Sequence, residues 1–231
     1  AQILREGGLV AIPTETVYGL AANALDSDAV RRIYEAKGRP SDNPLIVHIA
    51  EVEDARALAT EFPPAAQTLA EAFWPGPLTM ILPKSGLVPD QTSGGLSTVA
   101  IRMPSHPVAR ELIRLCGLPL AAPSANLSGY PSPTTAQHCI RDLNGRVEGI
   151  IVGEDCGVGV ESTVISLVGE RPRILRPGAI TPEMISQALG EEVELDPAVT
   201  QELKSGAVAA SPGMKYKHYS PRADVILVEG S

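Results

Sequence analysis

Short apolar runs alternate with amphipathic segments along most of the chain. Runs of strand type occupy residues 8–13, 45–49, 78–83, 98–103, 118–123, 149–152, 162–168 and 173–177. Helical patterns occupy residues 28–37, 52–60, 64–73, 107–116, from Thr134 or Thr135 to about 144, and 182–189. We expect Ser27 to cap the first of these helices, with Val30, Ile33 and Tyr34 on one face. This alternation predicts an α/β sheet with a parallel component.

The pattern fades near residues 190–210, which suggests a change in organisation. Residues 182–202 carry six acidic side chains and no basic one, whereas SPGMKYKHYSPR (211–222) carries three basic side chains and no acidic one. The run ADVILVEG (223–230) again has the pattern of a strand. We therefore predict a first domain over 1–190, a linker over 191–222, and over 223–231 the first strand of a second domain that continues beyond this sequence.

Composition and charge exclude several classes of protein. Of 231 residues, 44% are hydrophobic and 20% charged, and the net charge of −8 argues against a protein that coats nucleic acid by charge alone. No apolar run approaches the roughly 20 residues that a membrane span needs. Three cysteines without CxxC spacing suit no complete disulfide framework, so we expect a reducing cytoplasm.

Common catalytic motifs are missing from the sequence. It contains no P-loop, no GxGxxG, no GxSxG elbow and no HExxH. The four histidines are too widely spaced for a protein-held metal site, so any metal is more plausibly Mg²⁺ bound by phosphate groups.

Polar residues instead collect near the ends of predicted strands, where α/β folds bind their ligands. Six segments share this property: PTETVYGL (13–20), KGRPSDNPLIVH (37–48), TVAIRMPSHP (98–107), LAAPSANLSGYPSPTT (120–135), GVESTV (159–164) and RILRPG (173–178). Together they supply cations, hydroxyls and amides, without an activated nucleophile or a strong base. Such a set suits positioning and electrostatic stabilisation, as in nucleotidyl transfer, better than covalent catalysis.

Each segment also has a purely structural interpretation. The threonines of 14–16 would form a capped turn, and Lys37 would compensate a helix dipole. His48 alone would be a core histidine, and 120–135 would be a surface loop. Arg102, a cation within an apolar strand, requires an anionic partner, which is either an internal carboxylate or a carboxylate-bearing substrate.

Seven motifs in order, PTETVYGL, YEAKGRPSDNPLIVHI, WPGPLT, VAIRMPSHP, AAPSAN, GVESTV and LRPG, resemble the threonylcarbamoyl-adenylate synthase family with its YrdC-type domain. The resemblance covers about residues 3–190, and SPGMKYKHYSP resembles the linker of the longer, two-domain branch. It implies a twisted, mostly parallel open sheet with flanking helices around a deep basic cavity, followed by a small Rossmann-like domain.

The resemblance also implies a reaction and its participants. L-threonine, bicarbonate or CO₂, and ATP with Mg²⁺ would give L-threonylcarbamoyl-adenylate and pyrophosphate, the first step of a tRNA modification. A separate transferase complex would then use this product, so we expect neither stable nucleic-acid binding nor a membrane partner.

Site residues follow from the matched motifs. The catalytic set implied by the family is Lys37, Arg39, Ser124 and Asn126. Further contacts to ATP would come from Asn43, Thr98, Ser132, Arg176 and a linker residue such as Tyr219. Threonine would be bound by Thr16, His48, Arg102, Ser162 and the backbone of Ala122, with Mg²⁺ held mainly by the ATP phosphates.

Two other functions remain open from the sequence. A non-catalytic RNA-binding module would use the basic cavity, although a net charge of −8 and 3% aromatic residues weaken it. A carbamoyl-adenylate-forming domain of a hydrogenase-maturation protein would carry zinc-finger cysteines, which this chain lacks.

The linker composition generates a first prediction. Two prolines, three cations and two tyrosines in 211–222 suit a lid over an anionic ligand better than a spacer. A chain ending at Ala210 should therefore remain folded but lose most adenylate formation, because the labile carbamate would escape to water. Pyrophosphate release would measure the loss, and an unchanged rate would reduce the segment to a tether.

Overall fold

The computed structural model describes residues 1–38, 40–41 and 43–199. Arg39, Tyr219, the predicted linker beyond residue 199 and the predicted strand at 223–230 lie outside the described residues. Among the described residues, no helix has both the length and the apolar character that crossing a membrane requires. The three cysteines are all free.

The chain alternates short strands and helices. The strands are β1 Val10–Ile12, β2 Gly19–Asn23, β3 Ile46–His48, β4 Leu78–Pro83, β5 Thr98–Arg102, β6 Leu120–Ala121, β7 Gly149–Ile150, β8 Thr163–Ser166, β9 Arg173–Arg176 and β10 Glu194–Leu195. The helices are α1 Gln2–Arg5, α2 Ser27–Lys37, α3 Val52–Leu58, α4 Pro64–Phe73, α5 Asp90–Ser93, α6 Pro107–Cys116, α7 Ala136–Leu143 and α8 Pro182–Leu189, followed by a 3₁₀ helix, Pro197–Val199.

The strands form one open sheet in the order β10-β9-β8-β4-β5-β3-β6-β2-β1-β7. Neighbouring strands are parallel in β1/β7, β3/β5, β4/β8 and β9/β10. They are antiparallel in β1/β2, β2/β6, β3/β6, β4/β5 and β8/β9. The expected α/β open sheet is confirmed, and it is a mixed sheet, with more antiparallel neighbours than the resemblance implied.

Local sequence signals explain the helix ends. The cap of α2 is Asp26, not Ser27 as expected, because the Asp26 side chain accepts hydrogen bonds from the N–H groups of Asp28 and Ala29 at 2.9 and 3.2 Å. Thr135 caps α7, and α6 ends at Gly117 with a φ of 64°, a left-handed conformation that glycine adopts freely.

Several short elements were not predicted. The segment GLAAN, treated as the end of a polar motif, forms β2 between β1 and β6. Helices α1 and α5 have four residues each and lack a readable period. Strand β10 pairs with β9, so the sheet extends past residue 190, and the division into domains stays a prediction.

The largest core cluster of the described residues joins the sheet to α2, α4 and α7, while α1 and α6 pack with β1 in a second cluster. Val30, Ile33 and Tyr34 of α2 are buried, as the helical pattern predicted, and belong to the same cluster as Val47 of β3 and Ile101 of β5. Both β1 and β3 are buried along their whole length. The polar side chains within these strands are therefore withdrawn from water, and each needs a protein or ligand partner.

Gly178 provides a test of the packing beside β8. A Cβ at this position would lie 2.5 Å from the Thr163 nitrogen and 2.7 Å from the Glu161 oxygen, both of them backbone atoms. We expect Gly178→Ala to lower the free energy of unfolding by about 1–3 kcal/mol in urea denaturation, since backbone cannot yield easily. The control is Gly157→Ala, where nothing lies within 4 Å of the added carbon; equal effects would contradict the packing argument.

Candidate active site

The register of the sheet places three polar side chains next to one another on neighbouring strands. His48 of β3 and Thr79 of β4 both pair with Arg102, the last residue of β5. Residues that pair directly across strands point to the same face of a sheet. His48, Thr79 and Arg102 therefore share one face, and each is at most 3% exposed.

Arg102 is held by three residues from two segments of the chain. Its Nη2 lies 2.6 Å from Oε1 of Glu15, Nη1 donates to the Thr16 hydroxyl at 2.8 Å, and Nε donates to the Gly76 carbonyl at 3.3 Å. Of the two partners that the sequence left open for Arg102, the internal carboxylate is present. The guanidinium has five N–H bonds. The hydrogen bonds to Thr16 and Gly76 use two of them, whereas the contact with Glu15 is an ion pair in which Nη2 has no hydrogen-bond partner.

The ion pair sets the charge state of both residues. Burial alone would raise the pKa of Glu15, but the Arg102 guanidinium outweighs it and holds that pKa below the ordinary value. Burial lowers the pKa of Arg102, and the Glu15 carboxylate opposes this decrease. The pair is therefore ionised and has no net charge.

Thr14 and Thr16 continue the contacts of Arg102 through the loop after β1. The Thr14 hydroxyl donates to the carbonyl of Val17 at 2.6 Å, and it lies 3.0 Å from the Thr16 hydroxyl. Because Thr14 uses its proton on Val17, the Thr16 hydroxyl donates to Thr14 and accepts from Arg102. Thr16 thus has a fixed orientation, which a merely capped turn would not require.

Ser162 joins the same face from the start of β8. Its hydroxyl lies 2.7 Å from that of Thr79 and accepts from Nη2 of Arg176 at 3.2 Å, while Nε of Arg176 donates to the Ser162 carbonyl at 3.1 Å. The neighbouring Glu161 accepts from the Ser132 hydroxyl at 2.6 Å. Arg176 and Ser132, expected at the nucleotide, are therefore tied to the segment that carries Ser162.

A second polar group surrounds Lys37, at the end of α2. Lys37 is 3% exposed, and its ammonium donates to the carbonyls of Ser124 and Asn126. The Asn126 amide in turn donates to the carbonyls of Leu127 and Tyr130 at 2.8 and 2.7 Å. Lys37 therefore organises the loop after β6, in addition to any role toward a ligand.

Asn43 and Thr98 lie toward the beginnings of β3 and β5. Thr98 starts β5 and Arg102 ends it, a separation of about 13 Å at the usual rise per strand residue. The Asn43 carbonyl accepts from the hydroxyl of Tyr34, one turn before Lys37 on α2. Sites implied for ATP and for threonine thus include opposite ends of the same strands.

The backbone connects these two groups. A bridge pairs Gly19 with Ser124, and the Ala125 N–H donates to the carbonyl of Tyr18 at 2.8 Å. The Ala122 N–H donates at 3.0 Å to the carbonyl of Ile46, the first residue of β3. The loop before β2 consequently contacts Arg102 through Thr16 and the Ser124 loop through Tyr18.

Two participants were missed by sequence reasoning. Thr79 belongs to an apolar strand and was given no role, although its register opposite Arg102 places it beside Ser162. Gly76, whose carbonyl accepts from Arg102, lies in WPGPLT, and only the resemblance drew attention to that segment.

A protein-held metal does not fit this part of the molecule. Within residues 1–38, 40–41 and 43–199, no group of three or more His, Cys, Asp or Glu side chains is placed to hold an ion. The nearest carboxylates, Glu15 and Glu161, are already engaged by Arg102 and Ser132.

The sequence matches two family models. Residues 2–178 match the Sua5/YciO/YrdC model, whose description is telomere recombination. Residues 180–231 match the model of the threonylcarbamoyl-AMP synthase C-terminal domain. The chain therefore belongs to the Sua5/YciO/YrdC family and, within it, to the threonylcarbamoyl-AMP synthases that carry this second domain.

Individual relatives agree with this membership. The threonylcarbamoyl-AMP synthase of Pyrococcus abyssi is 57% identical over 230 residues, covering 100% of this chain and 67% of the relative. That of Bacillus subtilis is 54% identical over 232 residues, covering 100% and 66%. A crystal structure of P. abyssi Sua5 complexed with L-threonine superposes with a TM-score of 0.95 at 55% identity, covering 100% and 67%. The chain thus spans about two thirds of the length of these relatives.

His48 generates a prediction about acid stability. Burial and the nearby Arg102 charge lower the pKa of His48 to about 3. Between the ordinary histidine pKa of about 6.5 and this value, the unfolded chain binds a proton that the folded chain does not, so stability falls as the pH drops. His48 should contribute up to about 1.4 kcal/mol of loss per pH unit between about pH 6 and 5.

The measurement is urea unfolding followed by fluorescence of Trp74, the single tryptophan, across that pH range. His48→Asn should flatten the pH dependence while leaving an amide donor near Nδ1, which lies 3.2 Å from the Ile46 carbonyl. The exposed His138→Asn is the control and should keep the slope. Equal slopes in wild type and His48→Asn would refute the assignment.

Proposed function

We propose that this chain catalyses the formation of L-threonylcarbamoyl-adenylate and pyrophosphate from L-threonine, bicarbonate or CO₂, and ATP. The reaction is a nucleotidyl transfer, and its product would pass, in the cytoplasm, to a separate complex that modifies tRNA. Family membership and the threonine-bound relative support this proposal. The observation in this molecule that carries it is Arg102, a buried cation surrounded by hydroxyl groups.

Threonine would lie over the face that carries Arg102. Nη1 of Arg102 keeps one N–H bond beyond its contact with Thr16, and Nη2 has no hydrogen-bond partner, so an α-carboxylate suits the guanidinium. The hydroxyls of Thr16 and Ser162 are already oriented by Arg102 and Arg176. His48, which is neutral at ordinary pH, would contribute a further polar group beside the threonine without adding charge.

ATP would lie toward the beginnings of β3 and β5, on the side where α2 ends at Lys37. Lys37 holds the Ser124–Asn126 loop in place through two carbonyls and contributes positive charge there. Asn43 and Thr98 lie near the beginnings of β3 and β5. Ser132 donates to Glu161, and Arg176 donates to Ser162. Arg39 and Tyr219, outside the described residues, complete the proposed nucleotide contacts.

The reaction joins two anions, so the protein must offset their repulsion. The threonine amine adds to CO₂ and loses a proton to give a carbamate. A carbamate oxygen then attacks the α-phosphorus of ATP, and the bond from that phosphorus to the bridging oxygen of pyrophosphate breaks. Fixed cations such as Lys37 and Arg176 would stabilise the charge that develops, without reorganisation during the reaction. Mg²⁺ would enter with ATP, bound by its phosphates, and no step is assigned to a protein-held metal.

A pyrophosphate-release assay on the complete 231-residue chain tests the activity. Release should require L-threonine, bicarbonate and ATP together. A carbamoyl-adenylate-forming domain would instead depend on carbamoyl phosphate, and an RNA-binding module would release none. Pyrophosphate release that requires threonine and ATP but does not depend on bicarbonate or CO₂ would exclude the carbamate step.

Arg102→Lys tests the site separately from turnover. Lysine keeps a charge for Glu15 but cannot present two parallel N–H donors to a carboxylate. We expect threonine to bind about tenfold more weakly or worse, from the loss of about 1.5–3 kcal/mol, with ATP affinity unchanged in calorimetry. Arg32→Lys, in the partly exposed pair with Glu148, is the matched control. Unchanged threonine affinity in Arg102→Lys would remove this residue from the site.

A further inference from the structure

The carboxylate that pairs with Arg102 has no role among the residues implied for either substrate. Glu15 lies in the loop between β1 and β2, and its side chain is 13% exposed beside an Arg102 side chain that is 4% exposed. Arg102 could be satisfied by the hydroxyl and carbonyl that already contact it together with a substrate carboxylate. The permanent carboxylate therefore changes what the site can bind.

The Glu15 carboxylate changes the net charge of the site. Arg102 without Glu15 would be a site of charge +1, which suits any carboxylate. With Glu15 the pair is neutral, and a bare carboxylate would leave one net negative charge among buried groups. Uncompensated charge in such a position is costly. A ligand that brings both a carboxylate and an ammonium group adds no net charge.

The Glu15 charge lies close enough to act on such a ligand without a direct contact. Oε1 of Glu15 lies 2.6 Å from Nη2 of Arg102, and both Glu15 oxygens and this Nη2 are buried without a hydrogen-bond partner. The α-ammonium of an amino acid is separated from its carboxylate by a single carbon atom, so an amino acid whose carboxylate is held by Arg102 places its ammonium group within the field of the Glu15 carboxylate.

We propose that Glu15 is a specificity-determining residue: with Arg102 it forms a neutral pair that selects the zwitterionic amino acid over anions of the same shape. The inference rests on the proposed function, since it takes Arg102 as the anchor of the threonine carboxylate. It adds to that function the recognition of the amino group before carboxylation.

The test compares two ligands that differ only in the amino group. L-threonine and (R)-3-hydroxybutyrate share the carboxylate, the methyl group and the hydroxyl, but the second is a simple anion. Calorimetric titration of the complete chain without ATP gives both dissociation constants. The wild type should bind threonine at least about tenfold more tightly, because opposite charges a few ångströms apart attract strongly in a site of low dielectric constant. Discrimination below threefold would overturn the proposal without any variant.

Glu15→Gln removes the charge and keeps the shape. It should weaken threonine and strengthen (R)-3-hydroxybutyrate, so that their ratio falls by about tenfold or more. A residue that merely supports Arg102 would weaken both ligands together and leave the ratio unchanged, which would reject the role. Glu15→Asp keeps the charge and should keep the preference. Glu148→Gln, in the peripheral pair with Arg32, should change neither constant.

The outcomes separate this inference from the proposed function. If Arg102→Lys weakens threonine binding but Glu15→Gln leaves the ratio of the two ligands intact, the threonine site stands and the role of Glu15 fails. If wild type binds no threonine, or Arg102→Lys binds it normally, both fail. Thermal melting identifies a Glu15→Gln protein that is not folded, and the wild-type comparison and Glu15→Asp then decide.

Discussion

Arg102 places a permanent positive charge inside the sheet, and the chain around it is arranged to compensate for that charge. A guanidinium withdrawn from water must have its N–H bonds satisfied and its charge neutralised. Here the compensation comes from the loop before β2, through Glu15 and Thr16, and from the turn before β4, through Gly76. Folding of both segments onto β5 is therefore coupled to burial of one side chain. The same coupling assembles the site.

Local signals made much of the fold predictable. Pro107 and Gly117 bound α6, Thr181 caps α8, and the buried face of α2 follows its helical period. The order and direction of the strands were harder to predict from the sequence, because strand pairing depends on residues that are far apart in the chain. The resemblance implied a mostly parallel sheet, whereas the described sheet is mixed: β3/β6, β4/β5 and β8/β9 are antiparallel, as are both pairs of the unpredicted β2.

In the candidate site, too, individual residues were predictable from the sequence, whereas their contacts were not. Polar residues at strand ends could be picked out individually, and Thr16, His48, Arg102 and Ser162 do come together. The hydrogen-bond partners of these residues could not be predicted, since Thr16 and Arg102 are 86 positions apart in the sequence, and Thr79 and Ser162 are 83 positions apart. No local pattern encodes such contacts. Lys37 illustrates the remaining difficulty. Its position at the end of a predicted helix suggested a cation that compensates the helix dipole or binds a substrate anion, yet its ammonium also donates to two backbone carbonyls of the loop after β6.

Strand β5 has a consequence for how this molecule can evolve. We propose that its first and last residues, Thr98 and Arg102, contact ATP and threonine. They are about 13 Å apart, so the length of the strand sets the distance between the two proposed contacts. Inserting one residue would turn the side chains beyond it to the opposite face and carry Arg102 away from Glu15. We therefore expect insertions to be tolerated in the loops around the site and not within β5. Substrate range should therefore diversify through loop residues, with the spacing between the two substrates inherited unchanged.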